Sequence, residues 1–484
     1  MLMHLQLDGK GPLHAQLTRA LKSAMFAGGV SRGTRLPATR LLARELGLSR
    51  NTVLAAYEQL RAEGFVAARV GSGSYVTPPM QPAFAPPAPE RVTTLPPQSG
   101  YARRGRAFHD HANMAGRATP GMRYAFSYGV PYTNPALTNA WARELAHAAA
   151  YTPPAYPMTQ GLPALREAVC DYLARRRGVQ TTPADILIVA GTQQAMSLTA
   201  RVLLDPGHSA VVEEPHYTAM REVLQIHGAR VHAVDVDAQG LRLDALPTPA
   251  PRLLYVTPSH QFPSGVVMSL GRRLALLDYA RQHGSWIFED DYDGEFRYDA
   301  QPLAALQSLD RSGQVIYVGT FSKVLFPSLR LGYLVMPPGL RQDYITAKWC
   351  EDFGTSAIEQ AALANFMANG GFERHLRRTG RALNERRNAL LHALRECLGD
   401  QVDVADSRAG MHLVAWLRDY DTARGAALIA HARSLGLDLY PIAPYYARPL
   451  ERTGLLMGYA SMSVAEIEQA VRLFARCVKE VPGR

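Results

Sequence analysis

Residues 319–333 read GTFSKVLFPSLRLGY and follow directly on the apolar run Val315-Ile316-Tyr317-Val318. A β-branched run that ends in Gly-Thr reads as a buried strand entering a loop. That loop carries Lys323 and, further on, Arg330. Lysine is scarce here: Lys10, Lys22, Lys323, Lys348 and Lys479 are the only ones among 52 Lys and Arg. A Lys in a crowded, partly apolar site can lose its proton and act as a Schiff-base nucleophile; the plainer alternative is a surface Lys. The Arg330 guanidinium suits a phosphate.

Outward from this loop the same pattern repeats. Trp286-Ile287-Phe288 ends in Glu289-Asp290-Asp291-Tyr292-Asp293. Consecutive acids beside an apolar strand admit a hard-cation site, a buried acid facing a cationic ligand, or a solvated loop. Ile186-Leu187-Ile188-Val189 leads to Ala190-Gly191-Thr192-Gln193 and a helical pattern over 193–204. Small residues before a helix N-terminus let backbone N–H groups cradle a phosphate. Ala210-Val211-Val212 and Leu253-Leu254-Tyr255-Val256 are further strands, and 270–283 is a further helix. Short continuous apolar strands alternating with helices predict an α/β body with a mainly parallel sheet. Polar residues gather just past the strands' C-terminal ends, where open α/β sheets bind ligands.

Upstream, residues 78–100 hold Pro78, Pro79, Pro82, Pro86, Pro87, Pro89, Pro96 and Pro97, and Arg103, Arg104 and Arg106 follow. Proline at this density reads as an extended spacer. The 484 residues thus divide into a head (1–77), a Pro/Arg-rich linker (78–118) and a body (119–484). The formal charge is +10. The excess sits in the head and linker, which suggests a polyanion partner for the head, the plainer alternative being a solvated charged surface. Cys170, Cys350, Cys397 and Cys477 form no CxxC, which fits a reducing compartment rather than a zinc ribbon. With no signal-peptide pattern and no apolar run of 18 residues, the reading is a soluble, cytoplasmic protein without a membrane span.

In the head, Leu13, Leu17, Leu21 and Met25 mark one helix, stopped by Gly28-Gly29. Leu41, Leu42 and Leu46 mark a second. After Gly47-Leu48-Ser49, Val53, Leu54, Tyr57 and Leu60 mark a third, with Ser49 as its cap. Phe65-Val66-Ala67 and Ser74-Tyr75-Val76 form a hairpin around Gly71-Ser72-Gly73. This reads as a winged helix-turn-helix, the plainer alternative being a three-helix packing module. Arg50, Asn51 and Thr52 open the third helix, where base edges are read. Arg40 and Arg44 are placed for phosphates, and Gly73 for the wing's DNA contact.

The segment RLPATRLLARELGLSRNTVLAAYEQLRAEGFVAARVGSGSYV resembles the winged helix-turn-helix of GntR-type bacterial regulators. TPSHQFPSG, EDDYDGEFRY and GTFSKVLFPSLRLGY resemble fold-type I aminotransferases. Together they resemble the MocR/GabR regulators, in which such a head is fused to an aminotransferase-like body. The resemblance implies a transcriptional regulator that binds double-stranded operator DNA, carries pyridoxal phosphate and senses an amine, an amino acid or the cofactor itself. It implies that Lys323 forms the imine, Asp290 pairs with the pyridinium N–H and Tyr292 bonds the ring hydroxyl. It further implies that Tyr217 stacks on the ring, while Gly191, Thr192, Gln193, Thr320, Ser322 and Arg330 hold the phosphate. Tyr156 reaches the neighbouring subunit's cofactor, which implies a homodimer; no metal is expected. Two departures stand out: the family's carboxylate-gripping Arg positions are occupied by Leu456 and Ala219, with Arg221 and Arg408 as possible substitutes. Their loss argues against efficient transamination. The alternative reading is an active aminotransferase with an attached DNA-binding domain.

Overall fold

The computed structural model describes residues 5–31, 33–69, 71–77, 97–108, 119–132, 135–298, 303–405 and 408–481. It falls into two compact units, Met1–Pro97 and Gln98–Arg484. Most of the proline-rich segment lies outside the described residues. Residues 98–108, assigned from sequence to the linker, belong to the second unit. Their helix Gly100–Gly105 is capped by Ser99. Arg104 Nε donates to Ile226 O at 2.8 Å.

The first unit contains helices Leu13–Phe26, Thr39–Leu46 and Arg50–Ala62. Strands Val66–Arg69 and Gly73–Val76 pair antiparallel as the wing. Gly47, at φ 65, ends the second helix in the left-handed conformation that favours glycine. Ser49 Oγ accepts from Thr52 N at 3.1 Å and caps the third helix. Leu17, Leu21, Leu42, Val53, Tyr57 and Leu60 close the core. Leu41 and Leu54, read from sequence as apolar-face positions, are instead exposed. Their neighbours Leu42 and Val53 already occupy the inward face, and adjacent residues on a helix do not share a face.

The second unit is built on an eight-stranded sheet. In spatial order its strands are Ile186–Val189, Gly332–Val335, Val315–Thr320, Trp286–Asp291, Leu253–Val256, Ser209–Glu214, Arg230–Asp237 and Gly240–Leu241. The run from Val315–Thr320 to Arg230–Asp237 is parallel. Gly332–Val335 runs antiparallel to both neighbours, so the sheet is mixed. The strands read as continuous apolar runs because both faces are covered. Ala210, Val212, Leu253, Tyr255 and Phe288 pack with helices Thr192–Leu203 and Thr218–His227. Val211, Leu254 and Ile287 pack with helix Leu270–His283 on the other face.

A smaller α+β part follows. Its four-stranded antiparallel sheet has the order Val402–Ala405, His412–Leu417, Gly454–Gly458, Tyr440–Pro441. Helices Gly371–Leu398, Thr422–Ser434 and Val464–Glu480 accompany it. No described helix is long and apolar enough to cross a membrane.

Candidate functional site

Two strands run further than their apolar cores: Trp286–Asp291 takes in the acids, and Val315–Thr320 takes in Gly319-Thr320. The sequence placed these polar residues past the strand ends; they are in fact the last strand residues and mostly buried. Strand alternation sends the acids to opposite faces. Glu289 accepts from the backbone N–H of Leu306 and Gln307 at 2.7 and 2.8 Å. Asp291 accepts from Arg177 Nε at 2.6 Å and from the Tyr317 hydroxyl at 2.5 Å. Asp290 faces the other way and accepts from the Tyr255 hydroxyl at 2.8 Å. Its second oxygen, Oδ1, is buried without a hydrogen-bond partner. Burial raises the Asp290 carboxyl to about 7, although the Tyr255 hydrogen bond opposes the shift. The solvated-loop reading of these acids is therefore overturned. Among the described residues no group of three or more His, Cys, Asp or Glu side chains is arranged to hold a metal ion.

Lys323 follows the neighbouring strand. Its Nζ donates to Gly129 O at 3.1 Å. Burial lowers its pKa, and the carboxylates of Asp293 and Asp290 oppose this. A neutral amine near an acid is what a carbonyl-trapping lysine requires. Lys323 and Asp290 thus come together although they are far apart in sequence, because their strands pair in register, Val318 opposite Asp290.

The turn before helix Thr192–Leu203 adds the third part. Gly191 sits at φ 84, and a Cβ there would meet the Arg330 guanidinium at 3.1 Å. Only glycine fits this conformation at that spacing. Arg330 itself is left-handed at φ 50, and its Nη2 donates to Ala190 O at 2.9 Å. Ser322 N donates to Thr320 Oγ1 at 3.2 Å, and Ser322 Oγ is buried without a partner. Thr192 is half-buried and Gln193 exposed. It is Gln194 that is buried, accepting from Ala190 N at 2.8 Å and from Lys348 Nζ at 3.0 Å.

Tyr217 packs edge-on against Phe262, with ring centroids 5.8 Å apart. Burial and Asp290 push its phenol up to about 12. The Tyr292 hydroxyl lies 3.0 Å from His260 Nδ1. Tyr156 is 88% exposed and rests on Phe353. Leu456 is fully buried among Tyr128, Phe262, Val414, Ile442 and Tyr445. Ala219 and Arg221 are half-buried and Arg408 is exposed. In the head, Arg40, Arg44, Arg50, Asn51 and Gly73 are exposed and Thr52 is half-buried.

Sequence reasoning missed Tyr255, His260 and Asp293. His260 lies inside the quoted TPSHQFPSG, and Asp293 is three residues beyond Asp290. Tyr255 had a signal in strand alternation, but only once its strand was known to neighbour that of Asp290.

Pyridoxal phosphate fits these residues. An unpartnered buried carboxylate oxygen is costly until a donor arrives, and a pyridinium N–H is such a donor. The buried Ser322 hydroxyl and the Arg330 guanidinium beside a helix N-terminus suit its phosphate. The cofactor, when bound, supplies an electron sink.

Such a body is that of the fold-type I pyridoxal-phosphate proteins, and here it shares a chain with a winged helix-turn-helix. Residues 127–472 match the family described as aminotransferase class I and II. Residues 13–76 match bacterial regulatory proteins of the gntR family. The chain is 36% identical to the probable rhizopine catabolism regulatory protein MocR of Rhizobium meliloti, over 97% of this chain and 94% of the relative. It is 31% identical to the pyridoxine biosynthesis transcriptional regulator PdxR of Corynebacterium glutamicum, over 95% and 96%. Among solved structures, it resembles LysN, the α-aminoadipate aminotransferase of Thermus thermophilus, solved with N-(5'-phosphopyridoxyl)-L-leucine. There the TM-score is 0.68 at 29% identity, over 78% of this chain and 98% of that one. The chain belongs to the MocR-type transcriptional regulators of the gntR family, with a DNA-binding head and a pyridoxal-phosphate-binding, aminotransferase-like body.

Proposed function

We propose that the body is the sensor of this regulator and that occupancy of the Lys323 site changes the head's grip on operator DNA. The observation that carries this is Asp290 Oδ1, buried and unpartnered, with the half-buried Lys323 close enough for its charge to act on that carboxyl. Lys323 holds the cofactor covalently, Asp290 its ring nitrogen and Tyr292 its ring hydroxyl. Tyr217 packs on the ring. Gly191, Thr192, Gln193, Thr320, Ser322 and Arg330 surround the phosphate. The effector is an amine without a carboxylate, or pyridoxal phosphate itself. Support comes from Leu456, which fills with an apolar side chain, inside a cluster with Tyr128, Phe262 and Tyr445, the position of the carboxylate-gripping Arg. Burial raises the Tyr445 phenol to about 12. The protein acts as a homodimer in the cytoplasm, where its operator lies. Tyr156, exposed beside exposed Phe353 and Trp349, reaches the partner's cofactor.

On DNA, Arg50, Asn51 and Thr52 read bases, while Arg40, Arg44 and the Gly73 wing contact the backbone. Arg50→Ala is expected to weaken operator binding about 10-fold and relax preference at one base position, since a base contact carries about 1–3 kcal/mol. Arg44→Ala is expected to weaken all sequences alike and to reduce the salt slope by about 1. Fluorescence anisotropy at several salt concentrations on operator and scrambled duplexes separates the two. Equal loss on both duplexes for Arg50→Ala would remove it from base reading.

A further inference from the structure

Beside the cofactor site, three polar groups meet at one atom. His260 Nδ1 lies 2.9 Å from Asp293 Oδ2 and 3.0 Å from the Tyr292 hydroxyl. His260 and Asp293 are both almost wholly buried. The His260 ring is held at 29° to that of Tyr292 and stands 5.1 Å from His412. Gly410 closes over the pair, since a Cβ there would strike the imidazole at 2.3 Å and the Asp293 carboxylate at 2.5 Å.

An ionised carboxylate only accepts, so Nδ1 must carry the hydrogen that Asp293 receives. A nitrogen that carries a hydrogen cannot also accept the tyrosine's proton. The Tyr292 oxygen can therefore only be the second acceptor of that N–H. Its own hydrogen is left to point away from His260. Tyr292 follows the last strand residue, Asp291, and packs edge-on against Phe262, the ring that also meets Tyr217, so its hydroxyl lies at the edge of the cofactor site. Burial holds the Tyr292 phenol well above its ordinary value, with the carboxylates of Asp293, Asp290, Glu213 and Asp291 adding to the effect. It therefore remains a donor. His412 stays neutral, because burial and then His260 lower it and Lys323 adds to this, while the Pro263 carbonyl only partly opposes. The Asp293–His260–Tyr292 chain thus lies among these carboxylates, with the neutral His412 imidazole against His260 and Lys323 beyond.

We propose that Asp293 and His260 are positioning residues that fix the tautomer of the imidazole and so force the Tyr292 hydroxyl to donate into the cofactor site. This rests on the reading that the site holds pyridoxal phosphate next to Tyr292. A donor to the cofactor's ring oxygen favours the oxygen's anionic form. Losing the donor therefore raises the pH at which the bound cofactor's visible band titrates.

The test is a pH titration of that band in the full chain loaded with pyridoxal phosphate. Tyr292→Phe is expected to raise the midpoint by roughly one pH unit, the loss of about one hydrogen bond to a charged group. Asp293→Asn and His260→Leu are expected to raise it in the same direction. Each should add nothing when combined with Tyr292→Phe. His260→Asn, whose amide can donate from a similar place, should restore part of the shift. Should His260→Leu fail to fold, the Asp293→Asn and Tyr292→Phe cycle decides alone. A midpoint unmoved by Asp293→Asn, or shifts that add in the double variant, would overturn the proposal while leaving the cofactor reading intact. Absence of any visible band in the unsubstituted protein would overturn both.

Discussion

Asp290→Asn is expected to weaken pyridoxal phosphate binding at least about 100-fold, and at the same time to make the cofactor-free chain more stable at pH 8. Both effects come from one buried oxygen. With the cofactor bound, Asp290 faces a cationic ring nitrogen. Removing one member of a buried pair costs about 3–5 kcal/mol, or more than two decades in affinity. Without the cofactor the same carboxylate is a liability, because burial raises it to about 7. A carboxyl whose folded pKa lies above its unfolded one is harmless below the ordinary carboxylate range, where it is protonated in both states. The stability it contributes there is lost as pH rises toward and through about 7. Asparagine keeps the hydrogen bond from Tyr255 and never ionises. Its advantage should therefore be absent near pH 4 and amount to at least about 1 kcal/mol at pH 8. Thermal melts at the two pH values, beside an equilibrium cofactor titration, check both halves. A variant that binds the cofactor normally would remove Asp290 from the site.

Lys323→Ala is expected to abolish the visible band of lysine-bound pyridoxal phosphate entirely, and with it every spectral response to amines. Lys323 is half-buried, hydrogen-bonded to Gly129 O and lowered by desolvation, so near neutrality it offers more free amine than an exposed lysine. Of the other lysines in the second unit, Lys348 is buried but tied to Asp352, Gln194 and Thr355, and Lys323 is the lysine whose charge acts on Asp290. Borohydride reduction of the loaded protein followed by peptide mapping should label Lys323 alone. A band that persists in the variant would place the imine on another lysine.

Much of this is legible in the residues themselves, for a physical reason. The apolar strands are short and continuous because helices cover both faces of the sheet. The runs Ile186–Val189 and Leu253–Val256 therefore announce themselves at their full length. Ser49 and Gly47 likewise mark the ends of the head's helices by their local chemistry alone. What the sequence conceals depends on partners distant along the chain. Glu289, Asp290 and Asp291 look like one acidic loop until Leu306, Tyr255 and Arg177 take them separately. Gly332–Val335 reads as the tail of the lysine loop, because its antiparallel pairing is decided by Ile186–Val189 on its far side. The Pro/Arg segment looks uniform, yet residues 98–108 join the body through Arg104. His260 matters only because Asp293 and Tyr292 meet at its Nδ1.

The most direct measurement is operator affinity of the full chain, at one fixed salt concentration, with and without pyridoxal phosphate and again for Lys323→Ala. An effector moves DNA binding only through its different affinity for two states of the protein. The proposed coupling between body and head makes the cofactor change operator affinity at least about 5-fold in the unsubstituted chain, within the usual range of allosteric coupling, and leave Lys323→Ala unchanged. Equal affinity under all these conditions would contradict it: head and body would then be two independent devices on one chain.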